Sequence, residues 1–237
     1  MPDPQAVQSM FARIAGRYDL LNRTLSMGVD QRWRKHALAE AGELPGSLVV
    51  DLCCGTGDLS LLFARHGARV IGVDFTHEMV ALAPAKKRAG DGPTAFLQGD
   101  ALRLPLPDNC ADAASVAFGI RNVADRRACM REMARIVRPG GRVLILEFTT
   151  PPGRIFGAIY RTYFTQILPR IGGLVSGDRS AYEYLPATVL AWPSPEELAA
   201  EMEAEGLQKA FFRRMTGGIA CLHVGEVPGA SSHGSGS

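Results

Sequence analysis

The stretch that decides the fold of this chain is Val49-Val50-Asp51-Leu52-Cys53-Cys54-Gly55-Thr56-Gly57-Asp58. It begins with an apolar run typical of a strand, and the residues that follow it, Leu59–His66, have the pattern of a helix. Gly55 and Gly57 allow the backbone to approach a ligand closely at the N-terminus of that helix. A strand, a glycine-rich turn and a helix in this order predict a site for a nucleotide-like ligand.

Strand-like and helix-like segments alternate on both sides of this turn. The predicted strands are Leu48–Leu52, Arg69–Val73, Ala95–Gln98, Ala113–Phe118 and Val143–Glu147, and the predicted helices are Leu59–His66, His77–Lys87, Arg126–Val137 and Pro195–Glu205. Because the strands are apolar nearly throughout and alternate with helices, we predict a Rossmann-like α/β fold with a mostly parallel central sheet and helices on both faces.

Glycine-containing segments are predicted to end one of these helices and to join the last two strands. The helix after the fourth strand is expected to end at Pro139-Gly140-Gly141. Two further strands, Lys209–Arg213 and Ile219–Val224, are joined by Gly217-Gly218 and predict an antiparallel C-terminal hairpin.

The N-terminal part of the chain is predicted to be a helical cover. Apolar residues at helical spacing predict a leading helix over residues 5–25, and a second helix is expected over residues 30–40. At 237 residues we expect a single domain over residues 1–228, with the cover at 5–44 and an insertion at 151–186 that acts as a lid. The Gly/Ser-rich residues 229–237 are expected to form a flexible tail.

Composition excludes several classes of protein. Hydrophobic residues make up 46% of the chain and charged residues 21%, which excludes wholesale disorder and a membrane-spanning bundle. The net charge of +2 argues against nucleic acid as the main partner. The five cysteines include no C-x-x-C spacing, so we expect neither a disulfide framework nor a metal site. With no secretory signal pattern, we expect a cytoplasmic protein, soluble or peripheral to a membrane.

Acidic residues lie at the ends of three successive predicted strands. Asp51 lies inside the end of the first, Asp74 lies at the end of the second, and Asp100 follows the third. Asp74 is placed to accept both hydroxyls of a ribose, and Asp100 to meet an adenine amino group. Because S-adenosylmethionine is cationic and carries no phosphates, three acids favour it over a dinucleotide. The G-x-G-x-x-G pattern of dinucleotide sites is also interrupted, since its third position is Ser60. Alternatively, Asp74 and Asp100 only cap the helices that follow them.

Several longer motifs add to this pattern. They are Met10-Phe11-x-x-Ile14-Ala15-x-x-Tyr18-Asp19-x-x-Asn22, Gly99-Asp100-Ala101 with Leu104-Pro105, Phe118-Gly119-Ile120-Arg121-Asn122-Val123, Arg138-Pro139-Gly140-Gly141, Leu146-Glu147-Phe148, Tyr182-x-Tyr184-Leu185 and Gly217-Gly218-Ile219-Ala220 before His223. With them the chain resembles, from about Met10 to Gly225, the quinone-biosynthesis C-methyltransferases, the family of demethylmenaquinone methyltransferase and its ubiquinone-pathway counterpart. The Tyr-Asp and Gly-x-Arg-Asn segments are its most specific marks.

The resemblance implies a class I S-adenosylmethionine-dependent methyltransferase fold and a set of cofactor residues. These are Thr56, Asp74, Asp100, Ala101 and, through its backbone, Ala117, in addition to Asp51, Gly55 and Gly57 of the turn. The chain departs from many methyltransferases at Cys53, where glycine is frequent.

The implied reaction is C-methylation of a prenylated quinol, with demethylmenaquinol as the first choice. A carbon nucleophile requires an electron-rich ring, so a phenol of the acceptor must lose or share its proton. Arg121 is our candidate to stabilise the phenolate, and Asn122 to orient the ring. Tyr18 and Asp19 are candidates to close over the cofactor. The alternatives are a surface salt bridge for Arg121 and helix packing for Tyr18.

Other assignments stay open at this point. His77 and His223 are candidate proton acceptors, each weighed against a structural role. Tyr182 and Tyr184 either line the acceptor pocket or pack beneath the insertion. The acceptor is alternatively the polyprenyl benzoquinol of the ubiquinone pathway or another small hydrophobic molecule. A non-catalytic cofactor-binding subunit of a quinone-synthesis assembly, and a homo-oligomer, are also left open.

The insertion carries an apolar stripe at helical spacing. It comprises Ile155, Phe156, Ile159, Tyr160, Tyr163, Phe164, Ile167, Leu168 and Ile171. No acid occurs between Glu147 and Asp178, whereas three arginines do, at positions 154, 161 and 170. A basic amphipathic helix of this kind lies on an anionic membrane, which suits a prenylated substrate, or packs on the domain core. The sequence leaves both interpretations of residues 154–171 open.

Overall fold

The computed structural model of this chain describes residues 4–26, 28–153, 157, 160, 162, 165 and 179–229. Within those ranges the principal helices are α1 (Pro4–Ile14), α2 (Tyr18–Leu25), α3 (Asp30–Glu40), α4 (Asp58–Arg65), α5 (His77–Leu82), α6 (Arg126–Ile136), α7 (Arg179–Leu190) and α8 (Pro195–Ala204). The strands are β1 (Leu48–Leu52), β2 (Arg69–Asp74), β3 (Thr94–Gln98), β4 (Ala111–Ala117), β5 (Val137–Phe148), β6 (Gln208–Met215) and β7 (Ala220–Glu226).

The seven strands form one sheet in the order β3-β2-β1-β4-β5-β7-β6. Strands β1 to β5 pair in parallel, which confirms the predicted parallel sheet. The chain builds outward from β1 to β3 and then returns to the other side of β1 for β4. In open α/β sheets the crevice at such a reversal, beyond the carboxyl ends of the strands, is where ligands bind.

The C-terminal strands confirm the predicted antiparallel hairpin. Strand β7 pairs antiparallel with both β6 and β5, so it lies between them. This arrangement covers the edge of β5 and leaves β6 as the outer strand.

The prediction that Pro139-Gly140-Gly141 ends a helix was wrong in detail. Helix α6 ends at Ile136, and β5 begins at once, at Val137. The ladder then skips residues 138–141, because Ala111 pairs with Val137 but Ala113 pairs with Arg142. A proline without an N–H group and Gly140 at φ 80° fit a strand irregularity of this kind, where ladder hydrogen bonds are missing.

Two predicted helices are shorter than expected. The leading helix is broken by a 3-10 turn at Ala15–Arg17, where Gly16 lowers helix propensity. The helix expected over His77–Lys87 ends at Leu82 and continues as a 3-10 turn, Ala83–Lys86, because Pro84 donates no backbone hydrogen bond. Lys86 at the end of that turn becomes part of the candidate site.

Helices cover both faces of the sheet, as predicted. One face packs against α6 and α8 through fully buried side chains that include Met130, Met133 and Leu198. The other packs against α3 and α4 through Trp33 and Phe63. Each such side chain stabilises the fold by about 1.5–3 kcal/mol relative to exposure, so the sheet is a firm base for the loops at its carboxyl edge.

The N-terminal cover has a small core of its own. Met10 and Ile14 of α1 pack against Tyr160 of the insertion and Val189 of α7. At Tyr160, 6% exposed, the apolar stripe is therefore buried within the protein. The rest of the stripe, its three arginines and nearly all of the tail lie outside the described residues. Among the helices that the structure describes, none is long and apolar enough to span a bilayer.

Candidate active site

The turn between β1 and α4 holds three left-handed backbone positions, at every second residue. The φ angles are 49° at Cys53, 54° at Gly55 and 80° at Gly57. A Cβ on Gly57 would lie 2.9 Å from the ring of Phe96 in β3, so glycine is needed there for packing as well as for conformation. Cys53 adopts a conformation that strains a residue with a side chain, and such strain is concentrated at functional sites.

The cysteine at position 53, where many methyltransferases have glycine, is matched by a glycine after β4. Phe118 also has a positive φ, 59°, and a Cβ on the next residue, Gly119, would lie 2.3 Å from the Cβ of Cys53. Gly119 therefore leaves the space that the Cys53 side chain fills. The ends of β1 and β4 approach each other closely at the reversal of the sheet.

Two adjoining cavities open at this edge. The large cavity has about 900 Å³ of empty volume, including space open to solvent. Apolar side chains such as Phe11, Phe75 and Met79 form much of its wall. Of the predicted site residues, those that line it are Tyr18, Gly55, Asp74, Asp100, Ala101 and Asn122.

The small cavity has about 340 Å³ of empty volume, again including space open to solvent, and its lining is more polar. Of the predicted site residues it is lined by Tyr18, Asp51, Gly55, Thr56 and Ala117. Tyr18 and Gly55 line both cavities, so the two adjoin at the glycine-rich turn and the cover. Gly57 and Arg121 line neither cavity.

Asp74 combines the two roles weighed for it. Its carboxylate accepts hydrogen bonds from the N–H groups of Gly55 and Thr76, each at 2.8 Å, and so fixes the turn and the start of α5. It also lines the large cavity. Burial raises the pKa of Asp74, and the backbone hydrogen bonds oppose that rise. The helix-capping alternative is thus compatible with ligand binding at this residue.

Asp100 lies across a turn and not before a helix. Its carboxylate accepts the N–H of Leu102 at 2.9 Å, and the residues that directly follow it form turns. Asp100 and Ala101 both line the large cavity.

Asp51 is an interior carboxylate, 1% exposed, at the end of β1. It accepts hydrogen bonds from the hydroxyls of Ser60 at 2.6 Å and Ser115 at 2.7 Å. Burial raises its pKa to about 6, although both hydrogen bonds oppose the rise. Asp51 therefore places a negative charge, held by two hydroxyls, at the wall of the small cavity.

A network joins the cover to the turn through Lys86, a residue outside the sequence motifs. The Lys86 ammonium donates to Asp19 at 2.8 Å, to the Thr56 hydroxyl at 3.0 Å and to Asp58. The Thr56 hydroxyl donates to Asp19 at 2.5 Å. Burial by itself raises the pKa of Asp58, but Lys86 outweighs it and the pKa lies below its usual value. Of this network, the sequence had indicated Asp19 and Thr56 as candidates, and Asp58 without an assigned role.

Arg121 forms a buried ion pair and not the surface salt bridge that was its alternative. Its Nη1 donates to both oxygens of Glu147, at 2.7 and 2.9 Å, and to the carbonyl of Phe118 at 2.7 Å. The side chains of Arg121 and Glu147 are 7% and 0% exposed. Burial raises the pKa of Glu147, and the charge of Arg121 opposes that rise. Glu147 had been quoted as part of a motif without an assigned role.

Asn122 is held by a tyrosine from α7. The Tyr184 hydroxyl donates to Asn122 Oδ1 at 3.0 Å, which directs the amide group of a residue that lines the large cavity. Burial raises the pKa values of Tyr18 and Tyr184, and the charge of Arg121 opposes both rises. The positive field of Arg121 therefore reaches phenols at the site.

The remaining candidates lie elsewhere. His77 is exposed at the start of α5, and His223 is fully buried in β7, where its Nε2 meets the Pro195 carbonyl at 3.0 Å. Burial lowers the pKa of His223 to about 4. Neither histidine lines the two cavities. The side chain of Tyr182 lies outside the described residues.

Comparison with known proteins identifies relatives of this chain. The model of the ubiE/COQ5 methyltransferase family matches residues 2–227. A demethylmenaquinone methyltransferase of Thermus thermophilus is 47% identical over 92% of this chain and 100% of its own length. The protein of the same name from Deinococcus radiodurans is 49% identical over 94% of this chain and 92% of its own length.

Solved structures share the fold at low sequence identity. The magnesium protoporphyrin IX methyltransferase of Synechocystis, with bound S-adenosylhomocysteine, has a TM-score of 0.65 at 18% identity and covers 95% of this chain and 100% of its own. A putative methyltransferase from Haloferax volcanii, in complex with its Trm112 activator, has a TM-score of 0.63 at 21% identity and covers 88% of this chain and 96% of its own. These structures confirm the class I methyltransferase fold.

Proposed function

This chain belongs to the ubiE/COQ5 methyltransferase family, and we propose that it methylates a ring carbon of a prenylated quinol, demethylmenaquinol, with S-adenosylmethionine as the methyl donor. The relatives at 47% and 49% identity that carry the name demethylmenaquinone methyltransferase support this acceptor. They also favour an enzyme over a non-catalytic binding subunit. The step belongs to menaquinone biosynthesis.

The residues at the carboxyl edge fit S-adenosylmethionine. This cofactor has a ribose diol, an adenine, a cationic sulfonium and an amino-acid tail, and it supplies an electrophilic methyl group. Asp74, anchored by two backbone N–H groups, is suited to accept the ribose hydroxyls. Asp100 and Ala101 provide the end of the site for adenine, and Asp51 provides negative charge for the cationic end.

The observation that carries the proposal is the composition of the large cavity. It places the carboxylates of Asp74 and Asp100 in the same space as Asn122 and a wall of apolar side chains. The same cavity can therefore hold a nucleoside at its carboxylates and an aromatic ring against its apolar wall. Holding nucleophile and electrophile in near-attack geometry supplies about 7–11 kcal/mol of a displacement barrier.

Arg121 is suited to favour the ionised form of the acceptor. Because its charge opposes the rise in pKa of both Tyr18 and Tyr184, it acts in the same direction on a quinol hydroxyl bound beside them. Glu147 and the Phe118 carbonyl fix the guanidinium, so its field is oriented before the acceptor binds. Since Arg121 does not line the cavity, it acts through this field or through a water.

Asn122 is suited to position the acceptor ring. With Oδ1 occupied by the Tyr184 hydroxyl, its Nδ2 group is left to donate to an acceptor oxygen. Tyr184 comes from α7, beyond the insertion, so it links acceptor binding to that part of the chain.

The single domain over residues 1–228 and its two covers are part of the proposal. Helices α1 to α3 close over the cofactor, and the insertion at 151–186 covers the acceptor. The burial of Tyr160 against Met10 and Val189 supports a contact between the two covers. Peripheral contact with a membrane through residues 154–171 would bring the site to a prenylated substrate.

The test is turnover with purified protein, S-adenosylmethionine and chemically reduced acceptors. We expect demethylmenaquinol to gain the mass of one methyl group, with one equivalent of S-adenosylhomocysteine, and faster than the benzoquinol of the ubiquinone pathway. The oxidised quinone is the control and should not react, because it has no phenol to ionise. Faster methylation of the benzoquinol would contradict the acceptor, and no methylation of any quinol would contradict the function.

A further inference from the structure

Arg34 of α3 is a buried cation at the wall of the small cavity that the proposed function has not used. The residue is 6% exposed and lines the small cavity together with Asp51 and Thr56. Its ion pair with Asp30 uses only Nη1. Its Nε is buried and has no hydrogen-bond partner among the residues that the structure describes. A buried donor without an acceptor is costly, and it indicates a group missing from the site.

Two contacts hold the guanidinium in place. Asp30, itself 3% exposed, also accepts from the Ser26 hydroxyl at 2.8 Å and from Gln31 at 3.2 Å, so its carboxylate is fixed. The Arg34 Cζ lies 5.4 Å from the centre of the Phe118 ring, in a cation–π contact. The side chain is therefore preorganised, which lowers the entropy lost when a ligand binds it.

The charge of Arg34 is felt inside the small cavity. It acts to lower the pKa of Asp51, Asp58 and Tyr18, each of which lines that cavity. Of the described residues that line the small cavity, Arg34 is the cation. Lys86 lies beside the cavity and is engaged by Asp19 and Asp58. Arg121 also has a buried Nε without a described partner, but Arg121 lines neither cavity.

We propose that Arg34 binds the carboxylate of the methionyl tail of S-adenosylmethionine in the small cavity, and that it selects adenosyl ligands that carry this carboxylate. This inference rests on the proposed function, because it takes the cofactor as given. The tail is a zwitterion: Asp51 presents an anion for its ammonium group, and Arg34 presents a cation for its carboxylate. A guanidinium suits this role because it stays charged and makes two directed hydrogen bonds to a carboxylate.

Equilibrium binding by calorimetry tests the proposal with three ligands. S-adenosylmethionine carries the carboxylate, and decarboxylated S-adenosylmethionine lacks only that group. Methylthioadenosine lacks the whole amino-acid tail and, as a thioether, the sulfonium charge. The wild type should bind S-adenosylmethionine about 10- to 100-fold more tightly than its decarboxylated form. In Arg34→Gln this preference should fall to about threefold or less, while methylthioadenosine binding stays unchanged.

Two further variants separate binding from folding. Arg34→Gln leaves the Asp30 carboxylate buried without its cation, which is destabilising. The double variant Asp30→Asn/Arg34→Gln removes both charges and should show the same loss of preference. Arg32→Gln is the matched control, since Arg32 is exposed on the same helix and should leave all three affinities unchanged.

The binding results separate a failure of the Arg34 proposal from a failure of the proposed function. If Arg34→Gln weakened all three ligands equally, or kept the wild-type preference, Arg34 would be structural and the inference overturned while the cofactor assignment stood. If the wild type bound both adenosylmethionine forms equally, no carboxylate site would exist. If the wild type bound no S-adenosylmethionine, the proposed function would fail and this inference with it.

Discussion

The two cavities at the carboxyl edge of the sheet differ in how they recognise a ligand. The small cavity is walled by fixed charges, among them Arg34, Asp51 and Asp58, that are already engaged in hydrogen bonds or ion pairs. The large cavity is mostly apolar, with a few carboxylate and amide groups among hydrophobic side chains. In the proposed function, the small cavity selects by charge and the large one by shape and apolar contact. Substitutions in the two cavities should therefore differ in whether they change ligand affinity, turnover or protein stability.

The largest effect is expected at Asp74, the anchored carboxylate at the wall of the large cavity. Asp74→Ala removes the acceptor for the ribose hydroxyls, so the Kd for S-adenosylmethionine should rise about 100-fold or more. Calorimetry measures the change, and circular dichroism checks that the protein is folded. Asp74→Asn keeps one oxygen acceptor and should lose less. Unchanged affinity in Asp74→Ala would remove this residue from the site.

The next effect concerns the ion pair behind the large cavity. Glu147→Gln frees Arg121 from its anchor, so kcat should fall about 10- to 100-fold while the Kd for S-adenosylmethionine stays within about threefold. Steady-state assays and calorimetry give the two values.

The same experiment has an internal control in Arg121. Arg121→Gln should lower kcat by a similar factor, and the double variant should be no worse than Arg121→Gln, because the two residues act as a unit. Full activity in Glu147→Gln would show that the pair is only structural.

A smaller effect is expected at Asp51 of the small cavity, on the free energy of unfolding of the protein. The pKa of Asp51 rises from 3.8 to about 6 on folding. Its ionisation therefore destabilises the ligand-free protein as pH rises through this range, and the full penalty holds above about pH 6. Asp51→Asn should raise the free energy of unfolding at pH 8 by on the order of 2 kcal/mol, with the gain fading towards pH 4.

Denaturant unfolding at the two pH values measures this change. Asp108→Asn is the control, because the Asp108 side chain is 69% exposed and its ion pair with Arg135 contributes little. A gain for Asp51→Asn that did not depend on pH would show that burial of its charge is not the cause.

The smallest effect is expected at Lys86, which ties the cover to the turn. Lys86→Met removes the ion pairs to Asp19 and Asp58, so S-adenosylmethionine should dissociate about 3- to 10-fold faster. Stopped-flow measurement of the off-rate tests this. Lys87→Met, at the exposed neighbouring residue, should leave the rate unchanged, and an equal effect of both variants would contradict a specific tie.

Predictions from the sequence held where they depended on short-range patterns. The first four predicted strands occur close to their predicted bounds, whereas β5 begins at Val137, well before the predicted Val143. The acids at the ends of β1, β2 and β3 meet at one edge. Sequence predictions failed where the same local motif can either end a helix or interrupt a strand. Pro139-Gly140-Gly141 predicts an interruption, and only the pairing of β4 with β5 shows that the interruption lies inside a strand.

The sequence by itself determined the order of strands and helices, the glycine-rich turn and the edge at which the acids gather. Parallel strands all end at the same side of a sheet, so a residue's place after a strand fixes its edge. Tertiary structure alone decided the partners of Arg34, Lys86 and Glu147 and the raised pKa of Asp51. Helix periodicity and turn chemistry act over a few residues, whereas ion pairing and desolvation depend on groups that the completed fold brings together.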